Sequence, residues 1–178
     1  MQKEVKKNHL PDNLKEGLSS EVKFCITENM VSRFSELTGD SNPLHTQQGF
    51  ARRSIYRQQV VHGMLPLGFV SLLDFFQIAN FTSSIVEMSA QFNEPVFISN
   101  KIILSAVVAG IDKENNHAKF NYTLENAESK SIITKGAITV HYHPSTSGED
   151  FSLQESIRAN SSMVQEALTA KELRLEEI

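Results

Sequence analysis

Cysteine, tryptophan and long apolar runs are scarce in this chain. Its 178 residues include one cysteine and no tryptophan. Because Cys25 has no partner within the chain, an internal disulfide is excluded, which fits a reducing compartment. The most apolar stretch, residues 65–81, is slightly short for a membrane span and contains Asp74. No apolar run follows the polar N-terminus, so we expect no signal peptide. These absences favour a cytoplasmic protein with no membrane partner.

Net charge is also low, and it is unevenly distributed. Residues 1–143 carry 14 basic and 14 acidic side chains, whereas residues 144–178 carry three basic and seven acidic ones. The whole formal charge of −4 therefore lies in the last fifth of the chain. A neutral body without a basic stripe argues against nucleic acid as a partner. The length predicts one domain, or one domain with an appendage.

Helices are predicted mainly in the first half of the chain. Residues 1–19 are polar and are expected to form a loose lead-in, followed by a half-buried strand over residues 21–27. A helix capped by Thr27 is predicted over residues 28–37. A second helix, apolar on nearly all sides, is predicted from Gly63 to about residue 80. Such a helix must be wrapped by other elements.

Strands are predicted in the second half, over residues 84–91, 101–111, 118–124 and 131–142. Polar turns separate them, as in hairpins and meanders. This order predicts an α+β fold in which an antiparallel sheet curls around one long apolar helix. Residues 20–143 are assigned to this domain. Residues 144–178 are assigned to a linker and an acidic amphipathic helix, whose narrow apolar stripe needs a surface to lie on.

The segment Phe34-Ser-Glu-Leu-Thr-Gly-Asp-Ser-Asn-Pro-Leu-His45 carries the main chemical signal. Asp40 and His45 lie in a predicted loop that Pro43 stiffens, so their side chains can converge on one point. A carboxylate and an imidazole aimed at one spot can hold a water molecule and exchange protons with it. The alternative is that Asp40 is a turn residue and His45 a surface histidine.

A second signal is His62-Gly63-Met64 at the predicted start of the apolar helix. The N–H of Gly63 would have no intrahelical acceptor and would lie at the positive end of the helix dipole. It could therefore hold a carbonyl oxygen that gains negative charge. The alternative is a glycine required only for tight packing. His62 is interpreted as a structural histidine.

Together these segments resemble the MaoC-like family of hydratases, the class of (R)-specific enoyl-CoA hydratases with a hotdog fold. Phe50-Ala51 and Phe92-Asn-Glu-Pro-Val-Phe97 also match. The resemblance covers roughly residues 20–142. It implies a single hotdog fold and a homodimer. It also implies reversible syn hydration of trans-2-enoyl thioesters, carried by CoA or an acyl-carrier protein, to (R)-3-hydroxyacyl thioesters. No cofactor and no metal are expected.

The resemblance also assigns roles to individual residues. Asp40 and His45 would hold the catalytic water, and the backbone N–H of Gly63 would bind the thioester carbonyl. Asn42 would orient the loop, and Ser71 matches a position where some members place a supporting serine. Which of Asp40 and His45 is the acid and which the base stays open.

Three positions depart from the family pattern. Gln47 stands where an acidic residue is common, and Arg57 and Gln59 stand where glycine and proline are common. Arg57 forms a basic group with Arg52 and Arg53 that could meet the phosphates of a CoA or phosphopantetheine carrier. The alternative is a solvated basic cluster. Acyl chain length and carrier are therefore left open.

Two other functions are compatible with the same fold. One is a non-catalytic hotdog module that binds acyl chains or a partner, and the other is a thioesterase, which would not need the Asp40–His45 loop. His141 and His143 could share one face of a strand, but without a third ligand in view they do not predict a metal site. The C-terminal helix would pack on its own dimer or dock a pathway partner.

Overall fold

The computed structural model describes residues 10–73 and 81–144. Its elements in chain order are strand β1 (Ser19–Cys25), helices α1 (Glu28–Thr38), α2 (Pro43–Thr46), α3 (Gln48–Ala51) and α4 (Met64–Gly68), a 3-10 helix (Phe69–Leu72), and strands β2 (Phe81–Phe92), β3 (Lys101–Asp112), β4 (His117–Asn126) and β5 (Ile132–Pro144). The predicted C-terminal helix lies outside the described residues.

The five strands form one antiparallel sheet in the order β1-β3-β4-β5-β2. All five predicted strands are present. Side chains alternate between the two faces of each strand, so one face can be apolar throughout. The buried face of the three central strands carries Ile102, Leu104, Ala106, Val108, Ala118, Phe120, Tyr122, Leu124, Ile138, Val140 and Tyr142. The predicted α+β class is confirmed.

The apolar segment after Gly63 is a shorter helix than predicted. Helix α4 ends at Gly68, a 3-10 helix follows, and Leu73 is extended with φ −64° and ψ 141°. Glycine lowers helix propensity, and the hydroxyl of Ser71 donates to the carbonyl of Gly68 at 2.8 Å. Over residues 63–73 the apolar composition therefore predicted burial correctly, whereas the α-helix is interrupted after Gly68. The part of this predicted helix beyond residue 73 lies outside the described residues.

The sheet nevertheless covers this segment as expected. Leu65, Leu67, Val70 and Leu73 are buried and belong to the same core as the sheet. The ring of Phe69 stacks on that of Phe24 in β1, with centroids 4.1 Å apart. The core thus lies between the inner face of the sheet and the segment that begins at Gly63.

The lead-in is more ordered than its polar composition predicted. Leu14 is buried in the core. The N–H of Gly17 donates to the carbonyl of Val108 at 3.0 Å, and the N–H of Val108 donates to the carbonyl of Leu18 at 2.9 Å. Residues 10–18 therefore pack against the sheet, and the expectation of a loose lead-in is wrong for them.

Helix α1 has the ends that its sequence predicts. The Thr27 hydroxyl oxygen accepts a hydrogen bond from the N–H of Met30 at 3.2 Å, which makes Thr27 the N-cap. Gly39 ends the helix in the left-handed region at φ 74°, where glycine carries no steric penalty. The chain therefore turns sharply just before Asp40.

None of the helices within residues 10–73 and 81–144 has the length and apolarity needed to cross a bilayer.

Replacing Gly136 of β5 by alanine tests how closely the sheet is packed. An added Cβ would collide with the carbonyl oxygen of Ser89 and would lie 2.7 Å from the hydroxyl oxygen of Tyr122. That hydroxyl donates to Ser89 O at 2.7 Å, so the substitution would displace a buried hydrogen bond. We expect Gly136→Ala to lower the free energy of unfolding by at least about 2 kcal/mol in urea denaturation.

Gly68→Ala is the matched control for this substitution. A Cβ at Gly68 meets no heavy atom within 4 Å, and the residue is already helical at φ −58°. We expect a change within about 1 kcal/mol, in the stabilising direction, because alanine favours helix. Equal losses in both variants would contradict the close approach of β2 and β5 at Gly136.

Candidate active site

The loop that joins α1 to α2 holds Asp40 in a fixed turn. One carboxylate oxygen of Asp40 accepts a hydrogen bond from the N–H of Asn42 at 3.2 Å. The main-chain carbonyl of Asp40 accepts a second bond from the hydroxyl of Ser35 at 2.7 Å. Asn42 caps α2, since its side-chain oxygen accepts from the N–H of Leu44 at 3.0 Å. Asn42 is thus placed to orient the loop, and the Asp40 side chain stays 50% exposed.

His45 lies on helix α2 and not in an open loop as predicted. Pro43 at the first helical position starts this short helix, because its fixed φ suits a helix start. The imidazole Nδ1 of His45 lies 2.6 Å from the carbonyl oxygen of Val60. A carbonyl oxygen only accepts, so this bond assigns the proton to Nδ1. In the neutral ring Nε2 is then free to accept a proton.

A residue of the loop before His62 also holds His45. The side-chain amide of Gln59 donates to the main-chain carbonyl of His45 at 3.0 Å. The N–H of Val60 donates to the carbonyl of Leu44 at 3.3 Å. The departure from the family pattern at Gln59 therefore supplies a hydrogen bond that orients α2.

His62 joins Asp40 and His45 at the centre of the site. It is 2% exposed, and its Nε2 lies 3.1 Å from the main-chain oxygen of Asp40 and 3.9 Å from a carboxylate oxygen of the same residue. Its ring lies 4.0 Å from that of His45 and 5.1 Å from that of Phe34, between centroids. Its Nδ1 is buried without a hydrogen-bond partner among the described residues. The sequence predicts His62 to be structural, and the structure places it in contact with both Asp40 and His45.

Asp40 and His45 converge, as their loop spacing led us to expect. One ligating atom from each of Asp40, His45 and His62 lies within 4.8 Å of the other two. A water molecule hydrogen-bonded to two atoms at about 2.8 Å each bridges a gap of up to about 5 Å. Carboxylate and imidazole donors also suit a transition metal ion. The cluster can therefore hold a water molecule or a cation.

Gly63 lies beside this cluster, in the wall of a cavity of about 310 Å³. His45 lines the same cavity, together with the apolar side chains of Pro66, Phe92 and Val96. A Cβ at position 63 would lie 3.2 Å from a ring carbon of Phe92, so glycine suits this close approach. Gly63 is the N-cap of α4. Because α4 has only five residues, its dipole contributes less than the predicted long helix would.

The remaining candidates lie outside this cavity. Ser71 is exposed and is not among the residues that line it. Arg52 and Arg57 line a separate, polar depression of about 660 Å³ together with Glu28 and Gln59, whereas Arg53 does not line it. Arg57 has φ 62°, a left-handed backbone that favours glycine. This conformation explains why glycine is common there in the family.

Comparison with known proteins identifies the family. The model of the MaoC like domain matches residues 10–130. The chain is 27% identical over 132 residues to the (R)-specific enoyl-CoA hydratase of Rhodospirillum rubrum, covering 74% of this chain and 90% of that protein. It is 26% identical over 112 residues to the mitochondrial 3-hydroxyacyl-[acyl-carrier-protein] dehydratase of Arabidopsis thaliana, covering 61% of this chain and 66% of that protein.

Comparison with solved structures shows that the fold is also similar to that of a hydratase. The (R)-hydratase from A. caviae involved in PHA biosynthesis superposes with a TM-score of 0.68 at 21% identity, covering 74% of this chain and 98% of that one. The similarity confirms the predicted hotdog fold. Because the family model spans most of the described residues, the chain belongs to the MaoC-like domain family.

Proposed function

We propose that this protein is a hydro-lyase that adds water reversibly and syn to trans-2-enoyl thioesters, giving (R)-3-hydroxyacyl thioesters. The observation that carries the proposal is the convergence of Asp40 and His45 within 4.8 Å, next to a cavity with His45 and Gly63 in its wall. The names of the similar hydratase and dehydratase support the same reaction. The cavity's apolar side chains suit an acyl chain.

Proton transfer follows from the hydrogen bonds of the pair. A carboxylate and the unprotonated Nε2 of an imidazole are both proton acceptors, so Asp40 and His45 can orient a water molecule and remove its proton. The oxygen then bonds to C3 of the enoyl thioester, and the electron pair moves onto the thioester oxygen. The same pair returns the proton to C2. Because one cluster supplies both, hydroxyl and proton add to one face.

The N–H of Gly63 is the group that would stabilise the negative charge that develops during the reaction. The developing enolate oxygen needs a donor, and the N–H of Gly63 lies before the first turn of α4 without an intrahelical acceptor. A single donor of this kind typically contributes about 2.7–4 kcal/mol to lowering the barrier. The short α4 provides the donor itself, with little help from a dipole.

His62 acts in this scheme as a positioning residue. Its Nε2–H donates to the main-chain oxygen of Asp40, and its ring packs on that of His45. It therefore holds together the two elements that carry the pair. Both contacts lie on the side of the pair that is buried.

Asp40→Asn and His45→Gln should each lower kcat about 10²- to 10⁴-fold, because each removes one partner in proton transfer. Asparagine keeps the oxygen that accepts from the N–H of Asn42, so the turn should persist. The measurement is loss of enoyl-CoA absorbance on hydration by the purified protein.

Asp12→Asn and His117→Gln repeat the same substitutions away from the site and should retain wild-type rates. Wild-type rates in the Asp40 and His45 variants would refute the assignment of the pair. An inactive wild type on both CoA and carrier-protein thioesters would refute the hydratase. Release of free thiol without hydration would indicate a thioesterase instead.

The depression around Arg57 is proposed to bind the carrier. Arg52 and Arg57 line it together with Glu28 and uncharged polar side chains, so two guanidinium groups face one carboxylate, and guanidinium groups bind phosphate well. Its residue Thr46 is the last residue of α2, the helix that carries His45, and its residue Gln48 is the first residue of α3. A phosphorylated carrier could therefore bind here while its acyl end reaches the cavity.

Arg57→Gln should raise the KM for an enoyl-CoA about 3- to 10-fold, as expected for loss of one partly exposed phosphate contact. The KM for the matching enoyl-pantetheine, which lacks the phosphates, should not change. Arg53→Gln is the control, since Arg53 does not line the depression. Equal effects on both substrates would show that Arg57 shapes the loop and does not bind phosphate.

A homodimer through strand β2 is also proposed. This strand forms one edge of the sheet, and its exposed side chains include Ile85 at 51% and Val86 at 54%. An edge strand that exposes apolar side chains is a template for pairing with a second copy. Phe92 at the end of β2 lines the cavity, so such a dimer would form next to the site.

Val86→Lys should shift the protein from dimer to monomer in sedimentation velocity, because a charge would be buried in the interface. Ile55→Lys is the matched control, since Ile55 is 87% exposed and lies outside β2. A wild-type monomer, or a Val86→Lys dimer as stable as the control, would contradict the interface.

A further inference from the structure

Strand pairing brings three histidines together on the outer face of the sheet. His117 of β4 lies opposite His141 of β5, and His143 follows two residues later on the same face of β5. The N–H of Tyr142 donates to the carbonyl of Asn116 at 3.0 Å. This bond makes His117 and His141 a non-hydrogen-bonded pair, the kind in which opposing side chains lie closest.

The ring of His141 contacts the rings of both other histidines. The ring centroids of His141 and His143 lie 4.0 Å apart, and those of His117 and His141 lie 5.1 Å apart. Val140 and Tyr142 are buried on the opposite face, so the histidines face away from the core. The hydroxyl of Ser84 on β2 lies 3.4 Å from Nε2 of His143. The group is therefore partly open to solvent and supported by three adjacent strands.

We propose that His117, His141 and His143 bind a divalent transition metal ion, with Zn²⁺ as the best-suited ion. Three imidazoles with water in a fourth position are an established zinc environment. The strands fix the three Cβ positions, and binding would require the side chains to rotate until one nitrogen of each ring lies about 2.1 Å from the metal. Asp112 pairs with His117 across the β3–β4 hairpin, but both of its carboxylate oxygens accept hydrogen bonds from Glu114 and Asn115 of the turn, so the proposed ligands are the three imidazoles.

A bound ion is expected to stabilise the folded sheet. The ion would link β4 to β5 through side chains, in addition to their backbone hydrogen bonds. Because it binds the folded sheet and not a preformed site in the unfolded chain, it should raise the melting temperature. The site lies on the face of the sheet opposite the core, so the proposal does not depend on the hydratase activity.

The test is isothermal titration of ZnCl₂ into the full-length protein, with melting temperature as a second readout. We expect about one Zn²⁺ per chain and a higher melting temperature in wild type. His141→Asn and His143→Asn should each weaken binding at least about 10-fold, since loss of a ligand costs no less than loss of an outer-shell partner. His143 is exposed, so its variant should fold even if the His141 variant does not.

His45→Gln separates this site from the cluster around Asp40, which also offers ligating atoms. The proposal predicts unchanged Zn²⁺ affinity in this variant. Binding that is lost in His45→Gln but retained in His141→Asn and His143→Asn would assign the metal to the Asp40 cluster and overturn the proposal. Absence of saturable binding by the wild type would also overturn it.

Discussion

The geometry of the site depends on a short contact between two loops, the isolated antiparallel bridge between Val60 and Phe97. The N–H of Val61 donates to the carbonyl of Val96 at 2.8 Å and strengthens the same contact. This contact leaves the carbonyl of Val60 directed at His45 and places His62 against Asp40. The elements that carry the pair are thus fixed to a segment that the core already holds.

In each histidine of the site, one ring nitrogen is bonded to a main-chain oxygen that positions the ring. Main-chain groups hold the imidazoles of His45 and His62, each through one ring nitrogen. One nitrogen of His45 therefore stays free for chemistry. The buried His62 instead contacts Asp40 through Nε2 and packs its ring on that of His45, which is consistent with a positioning role.

Much of the fold followed from local chemistry. Alternating apolar residues predicted the strands, and Thr27 predicted the start of α1, because both signals act within a few residues. The apolar segment after Gly63 was harder. Burial requires only apolar side chains, whereas a long helix also requires favourable backbone propensity, which Gly68 lowers. Leu14 was missed because one apolar residue in a polar segment has no period to detect.

The sequence by itself determined the strand order along the chain, the turn before Asp40 and the residue types of the pair, since each is set by neighbours in the chain. Only the tertiary structure decided which groups meet. His62 lies against Asp40, and His117 lies opposite His141. Each pair unites segments that are distant in sequence, and their positions follow from core packing and strand register. Register depends on the whole apolar face of the sheet, so no single segment could have predicted it.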